Sequence, residues 1–309
     1  AETSSASHNS GALAIAVASF FEAREKDITE SATLVVTPKK IKTMKIAIIG
    51  TGNLGKSIAK GLITSNAITS LYLTKRNLDA IQEFEGYKNV FLTTDNSEAV
   101  KQSDIIIFSV QPAHFETILN DIKPLLNEKH VLISTITGFS ISKMEGIVGQ
   151  DQFIIRAMPN TAIAVGKSMT CLCSNEKGTE RIKIAEAIFN RLGTSISIPE
   201  NQMQAATVVC ASGIAFWMRL IRATTQAAIQ LGFEANEAQE LAMHTCEGAA
   251  NLLITTGNHP EQEIDKVTTP KGCTIEGLNQ MEHQGLSSSL IQGMVASFNK
   301  INTIKTEQL

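Results

Sequence analysis

Neither sign of charge dominates this chain: 27 Lys and Arg stand against 30 Asp and Glu, a formal net charge of −3. The cations are scattered, so nothing points to a nucleic-acid partner. The small cluster Lys39, Lys40 and Lys42 reads as a solvated linker. Cysteine is scarce too. Cys171, Cys173, Cys210, Cys246 and Cys273 are odd in number and form no CxxC pair, which argues against a disulfide framework and against zinc. No metal is therefore expected, and reduced thiols in a cytoplasmic setting are. Cys171 and Cys173 lie in an alternating apolar run and read as small buried hydrophobes. Near the start, the apolar run from Gly11 to Phe21 is too short to cross a bilayer, so no membrane role is expected. The segment AETSSASHNS before it lacks the basic residues of a secretory signal. Residues 1–43 stand as an N-terminal extension of unknown role, read either as a short amphipathic helix or as sequence ahead of a natural start at Met44.

What the chain does have is length and periodicity. Its 309 residues, 43% hydrophobic and 18% charged, suit a soluble globular protein of two domains. From Met44, short apolar runs alternate with helical patterns, the signature of βαβ units. Strands are predicted at Lys45–Ile49, Leu71–Leu73, Val90–Leu92, Asp104–Val110, Val131–Thr135, Phe153–Arg156, Ser168–Cys173 and Ser195–Ile198. Helices are predicted between them at Leu54–Ser65, Phe115–Leu126 and Glu180–Leu192. After Pro199 the pattern is helical only, with helices over Gln202–Leu231, Glu234–Thr256, Thr274–His283 and Ser287–Lys300. The expected fold class is α/β: a Rossmann-type, mostly parallel sheet over residues 44–200, followed by an all-helical substrate and dimerisation domain over 201–309. Small residues along the first long helix (Ala205, Ala206, Ala211, Gly213, Ala215) would let helices pack closely. A helical region this apolar suggests burial against a second subunit.

Gly50-Thr51-Gly52-Asn53-Leu54-Gly55 reads G-x-G-x-x-G, directly after the strand KIAII and at the start of a helical run. The three glycines then serve a tight turn, close approach of the backbone to a pyrophosphate, and helix–strand packing. Amides at the helix start, from Asn53 and Leu54, meet the phosphate charge. About 20 residues further on, no acid stands where one would accept from the ribose hydroxyls. Lys75, Arg76 and Asn77 stand there instead. Two cations favour a 2′-phosphate, so NADP(H) is the expected cofactor, with NAD(H) left open by nearby Asp79.

Four segments in order, IIGTGNLG, FSVQP, RAMPNTA and DKVTTPKGCTIEGL, resemble pyrroline-5-carboxylate reductase from Met44 to about Asn299. The last is the most specific of the four. The resemblance implies NADPH-dependent reduction of 1-pyrroline-5-carboxylate to L-proline in a homodimer or ring of dimers, with the substrate site buried between subunits. It implies that Thr269, Lys271, Gly272, Cys273 and Thr274 hold the substrate carboxylate, and that the Thr274 hydroxyl meets the ring nitrogen. On the cofactor side it implicates Asn96 near the 2′-phosphate, Val110 and Pro112 of FSVQP, and Met158, Pro159 and Asn160 beside the nicotinamide. This chain departs from the family pattern in three places. Lys271 replaces the first of two loop glycines. Cys210-Ala211-Ser212-Gly213-Ile214-Ala215-Phe216 replaces a serine-glycine-serine-glycine-proline-alanine-tyrosine stretch, and Gln111 replaces a lysine before proline. No histidine is required, because transfer to a C=N bond needs mainly orientation and charge balance. Two rival readings remain: an NADP-linked β-hydroxyacid dehydrogenase with a catalytic lysine at Lys266 or Lys271, and a non-catalytic NADP-sensing protein.

Overall fold

The computed structural model describes residues 44–65 and 68–307. The expectations for residues 1–43 lie outside the described residues. Eight strands form one sheet: β1 (Lys45–Ile49), β2 (Ser70–Thr74), β3 (Val90–Thr93), β4 (Ile105–Phe108), β5 (Val131–Ser134), β6 (Phe153–Met158), β7 (Ser168–Ser174) and β8 (Gly193–Ser197). Their order is β3-β2-β1-β4-β5-β6-β7-β8. All pairs are parallel except the antiparallel β6–β7. Strand β4 reads Ile-Ile-Ile-Phe and every residue is buried, as a strand covered on both faces requires.

Helices α1 (Asn53–Thr64), α2 (Asn96–Lys101), α3 (Pro112–Ile122), α4 (Ile141–Val148) and α5 (Ile182–Phe189) accompany the sheet. The 3-10 stretch Leu78–Phe84, α2 and α4 were not legible in the sequence pattern, each being too short to show a periodic apolar face. All eight predicted strands form, with ends shifted by up to two residues.

The helical region follows as α6 (Glu200–Gln230), α7 (Ala235–Thr256), α8 (Pro260–Val267), α9 (Cys273–His283) and α10 (Leu286–Glu307). Helix α8 is not among the predicted helices. Its local start signal is strong all the same: His259 accepts from the Glu261 amide, Gln262 answers the His259 amide, and Pro260 is the first helical residue. The loss of proline from the 210–216 stretch does not leave α6 regular. Residues Thr207–Ser212 run as a π-helical turn.

One joint fixes α6 to the sheet. Arg156 on β6, with a side chain 7% exposed, donates from Nη1 to Glu200 Oε1 at 2.9 Å. The same oxygen accepts from the Ile141 amide at 2.7 Å, so β6, α4 and α6 meet at one half-buried carboxylate. Met44–Leu309 accordingly forms a single compact unit, although its two regions differ in architecture.

Beyond that joint the helices leave much apolar surface uncovered. Trp217, Met218, Leu231, Phe233, Leu252, Ile254 and Ile291 are all exposed, Leu231 by 81% and Ile254 by 79%. A surface of this kind marks an interface. Light scattering at micromolar concentration should therefore show a dimer or larger species, and Ile254→Asp should shift it toward monomer. A wild-type monomer under those conditions would remove the reading.

Candidate functional site

The cleft forms where the strand order reverses, between the carboxyl ends of β1 and β4. Open α/β sheets place ligands at this point because neighbouring chains leave it in opposite directions. Its volume is about 640 Å³. Ile49 to Gly52 after β1, Thr74 to Asn77 after β2, Thr94 and Asn96 after β3, and Ser109 to Gln111 after β4 line it, with His114, Thr117 and Ile118 of α3.

The three motif glycines have separate causes in this geometry. Gly50 has φ +91°, and a Cβ there would lie 2.3 Å from Val110 Cγ1. A Cβ on Gly55 would meet the Gly50 carbonyl oxygen at 2.6 Å, so helix α1 can rest on the turn only without one. Gly52 is different: a Cβ there would touch no protein atom. Its bareness keeps open a space that the fold itself does not fill, which is the fit expected for a pyrophosphate. The turn is tied to β2 as well, the Gly50 amide donating to Thr74 Oγ1 at 3.3 Å and the Thr51 amide to the Thr74 carbonyl at 2.9 Å.

Lys75 is not a loose surface cation. Its Nζ donates to the Thr51 carbonyl at 2.9 Å, holding the ammonium over the glycine turn with donors to spare. Arg76 and Asn77 are exposed at the cleft rim, and Asn77 Oδ1 accepts from the Asp79 amide. Asn96 opens α2 beside them. Of the expected cofactor residues, the cleft thus gathers Gly50, Gly52, Lys75, Arg76, Asn77, Asn96 and Val110. Asn53, Leu54, Gly55 and Pro112 stand behind this lining, at the starts of α1 and α3.

Met158 and Pro159 are buried, and the Asn160 side chain is engaged at both ends. Its Oδ1 accepts from the Ala162 amide and its Nδ2 donates to the Cys210 carbonyl at 3.1 Å. These three residues therefore build the wall where β6 meets α6. Sequence reasoning missed Thr94, His114 and Thr117. Thr94 sits in the same TTDNSE stretch as Asn96, and His114 and Thr117 lie one helical turn apart on α3.

The second group of expected residues forms a tight turn ahead of α9. The Gly272 amide donates to the Thr269 carbonyl at 2.9 Å, with Pro270 and Lys271 at the corners. Lys271 has φ +60°, the sole left-handed residue other than glycine among the described residues. A lysine bears a cost of about 1 kcal/mol or more there, which a glycine would not. Gly272 cannot be replaced so simply, because its Cβ would lie 2.4 Å from Thr269 Oγ1. Gly272 is the N-cap of α9 and no side chain caps it, which leaves the amides of Cys273 and Thr274 as donors for an anion. No residue of this turn lines the β1/β4 cleft, so a single chain does not gather both groups into one cavity. Nearby Lys266 is paired with Glu263 at 2.7 Å. No group of three or more metal-ligating side chains occurs among the described residues.

The glycine geometry gives a separable prediction. Gly52→Ala should unfold at the wild-type temperature yet bind dinucleotide at least about tenfold more weakly, since the new methyl meets only the ligand. Gly55→Ala should instead lose about 2 kcal/mol of stability through the clash with the Gly50 carbonyl. Calorimetry and cofactor fluorescence measure the two effects, and equal thermal losses in both variants would contradict the division of roles.

Residues 200–304 match the family model for pyrroline-5-carboxylate reductase dimerisation, and residues 45–138 match that for NADP oxidoreductase, coenzyme F420-dependent. Pyrroline-5-carboxylate reductase 1 of Dictyostelium discoideum is 45% identical over 279 residues, which are 85% of this chain and 50% of that protein. The chain thus spans half the length of that relative. Pyrroline-5-carboxylate reductase 2 of the same organism is 40% identical over 84% of this chain and 96% of its own length. Among solved structures, Plasmodium falciparum pyrroline carboxylate reductase with NADP bound superposes with a TM-score of 0.77 at 26% identity, covering 86% of this chain and 99% of that one. With a Rossmann-type sheet, a dinucleotide cleft at its switch point and a dimerisation region over its helices, this chain belongs to the pyrroline-5-carboxylate reductase family.

Proposed function

We propose that this protein reduces 1-pyrroline-5-carboxylate to L-proline with NADPH, as a cytoplasmic homodimer or ring of dimers acting on a small molecule. The observation that carries the substrate assignment is the turn Thr269–Gly272, which opens onto the uncapped N-terminus of α9. Two unpaired amides, those of Cys273 and Thr274, and the positive end of the helix dipole suit a carboxylate. The Lys271 ammonium adds attraction at the same place. The Thr274 hydroxyl, one residue into the helix, is the group assigned to the ring nitrogen of the imine.

When bound, the nicotinamide supplies the hydride that reduces the C=N bond. The chain's own residues have the task of holding the two reactants. Gly50, Gly52 and the α1 amides of Asn53 and Leu54 seat the pyrophosphate, with Gly55 letting that helix start so close. Lys75, Arg76, Asn77 and Asn96 take the 2′-phosphate, and Val110 and Pro112 border the dinucleotide. Met158, Pro159 and Asn160 form the wall toward the nicotinamide. None of these need be a strong acid, because the product amine takes a proton readily near neutral pH. Specificity for NADPH rests on charge-assisted bonds from Lys75 and Arg76, while NADH, lacking the phosphate, gains nothing from them.

Helix α6 has the length and composition of a membrane span, with a mean hydropathy of 1.4 in its most apolar 18-residue window. We assign that apolarity to contact between subunits, in line with the dimerisation region it opens. Neither a membrane nor a nucleic acid is part of the proposed role. The dehydrogenase alternative needs a lysine free for catalysis. Lys266 lies in an ion pair, and Lys271 belongs to the carboxylate turn.

The deciding assay is NADPH oxidation with 1-pyrroline-5-carboxylate, set beside a simple hydroxyacid with NADP; turnover of the hydroxyacid alone would overturn the assignment. Replacing Lys75 and Arg76 together by Ala should raise the KM for NADPH by about tenfold or more and leave that for NADH nearly unchanged. Equal effects on both cofactors would remove the phosphate role. In the substrate turn, Thr274→Val should lower kcat by about tenfold, the value of one hydrogen bond made as the imine becomes an amine. Lys271→Gly should act mainly on KM, by roughly threefold, because its attraction is present in ground and transition states alike. A Thr274→Val enzyme with wild-type kcat would show that the hydroxyl lies elsewhere.

A further inference from the structure

Two thiols meet where the sheet joins the dimerisation helices. Cys171 on β7 and Cys210 on α6 are 39 residues apart in sequence, yet their sulfurs lie 3.8 Å apart. Cys171 is 3% exposed and sits opposite Met158 in the β6–β7 ladder. Cys210 is half-buried, so a small solute can reach it. It lies in the π-helical turn Thr207–Ser212, a rare conformation that recurs at functional sites. Its carbonyl holds the Asn160 side chain at 3.1 Å, one contact from the wall assigned to the nicotinamide.

The two thiols are chemically unequal. The hydrogen bond between the two sulfurs, helped by burial, pushes the Cys171 thiol up. The same bond pulls Cys210 below the ordinary thiol range, against the opposing effect of burial. Peroxide meets the more accessible Cys210 sulfur first, and the buried Cys171, 3.8 Å away, is placed to resolve it.

We propose that Cys171 and Cys210 form a peroxide-responsive dithiol whose closure to a disulfide slows turnover by displacing the π-helical turn that holds Asn160. The Cys210 thiolate attacks one oxygen of hydrogen peroxide; the O–O bond breaks, giving a sulfenic acid and hydroxide, which takes a proton to become water. The Cys171 sulfur then attacks the sulfenic sulfur, forming the S–S bond while its own proton leaves with the hydroxyl as a second water. Both sulfurs are oxidised, and peroxide is reduced to two waters. A disulfide brings its sulfurs to about 2.05 Å, well inside their present separation. Cys171 is held in the strand ladder, so the movement falls on Cys210 and on the carbonyl bonded to Asn160. A transient, sensing disulfide of this kind is compatible with a reducing compartment.

The effect on turnover rests on the proposed reductase activity, whereas formation of the bond does not, and the experiment separates them. The full-length reduced protein is treated with hydrogen peroxide, its remaining thiols are alkylated, and peptides are mapped without reduction. NADPH oxidation with 1-pyrroline-5-carboxylate is followed in parallel. The expected result is a peptide linked through Cys171 and Cys210, a loss of turnover of about tenfold, and recovery with dithiothreitol. Cys210→Ser, nearly isosteric, should turn over normally and resist peroxide. Oxidation of the exposed Cys273 would act equally in that variant, so its resistance isolates the pair. Absence of the linked peptide, or loss of activity in Cys210→Ser to the wild-type extent, would overturn the proposal. Should the reduced enzyme show no turnover at all, the reductase reading fails, and the peptide map still decides whether the disulfide forms.

Discussion

The contact between Gly55 and the Gly50 carbonyl is the constraint on which the cofactor side of this protein depends. With a Cβ 2.6 Å from that oxygen, helix α1 would have to back away from the turn. The amides of its first residues would then no longer point into the β1/β4 crevice. Val110 presses on the same turn from β4, and Thr74 and Lys75 bind it from β2. The ends of two neighbouring strands thus hold the loop that leaves β1. The only glycine of the three not explained by neighbouring protein atoms is Gly52, which lines the open cleft.

The turn Thr269–Gly272, to which the substrate is assigned by proposal, is built with the opposite economy. Where the cofactor loop uses glycine to avoid strain, this turn accepts it at Lys271, whose left-handed backbone no local feature other than the Pro270 corner favours. A strained residue persists only where its surroundings hold it. Here the surroundings are the Thr269–Gly272 hydrogen bond and the start of α9. The gain is a cation beside helix amides that no side chain caps, an arrangement that favours anions.

The joint of Arg156 and Glu200 ties the sheet to the helical region. Only the arginine of this pair is buried, so losing Glu200 would leave a guanidinium in the interior without its partner, which is costly. Its value here is geometric. It sets where α6 begins relative to β6, and so where the π-helical turn, Cys210 and Asn160 fall. The apolar helices that follow are anchored at this end and uncovered over most of their length.

The βαβ order, all eight strands and the glycine motif were legible in the sequence because each rests on local periodicity or on a backbone requirement that only glycine meets. The Lys75-Arg76 pair was legible for a related reason: its place is fixed by counting from the motif to the end of the next strand. Short helices such as α2, α4 and α8 were not, since eight residues or fewer display no reliable apolar face. The proximity of Cys171 to Cys210 and the engagement of Asn160 by Cys210 arise from chain segments brought together only by folding. Those are facts of tertiary packing, because a contact across 39 or 50 residues depends on how sheet and helix meet, and no local pattern encodes that angle.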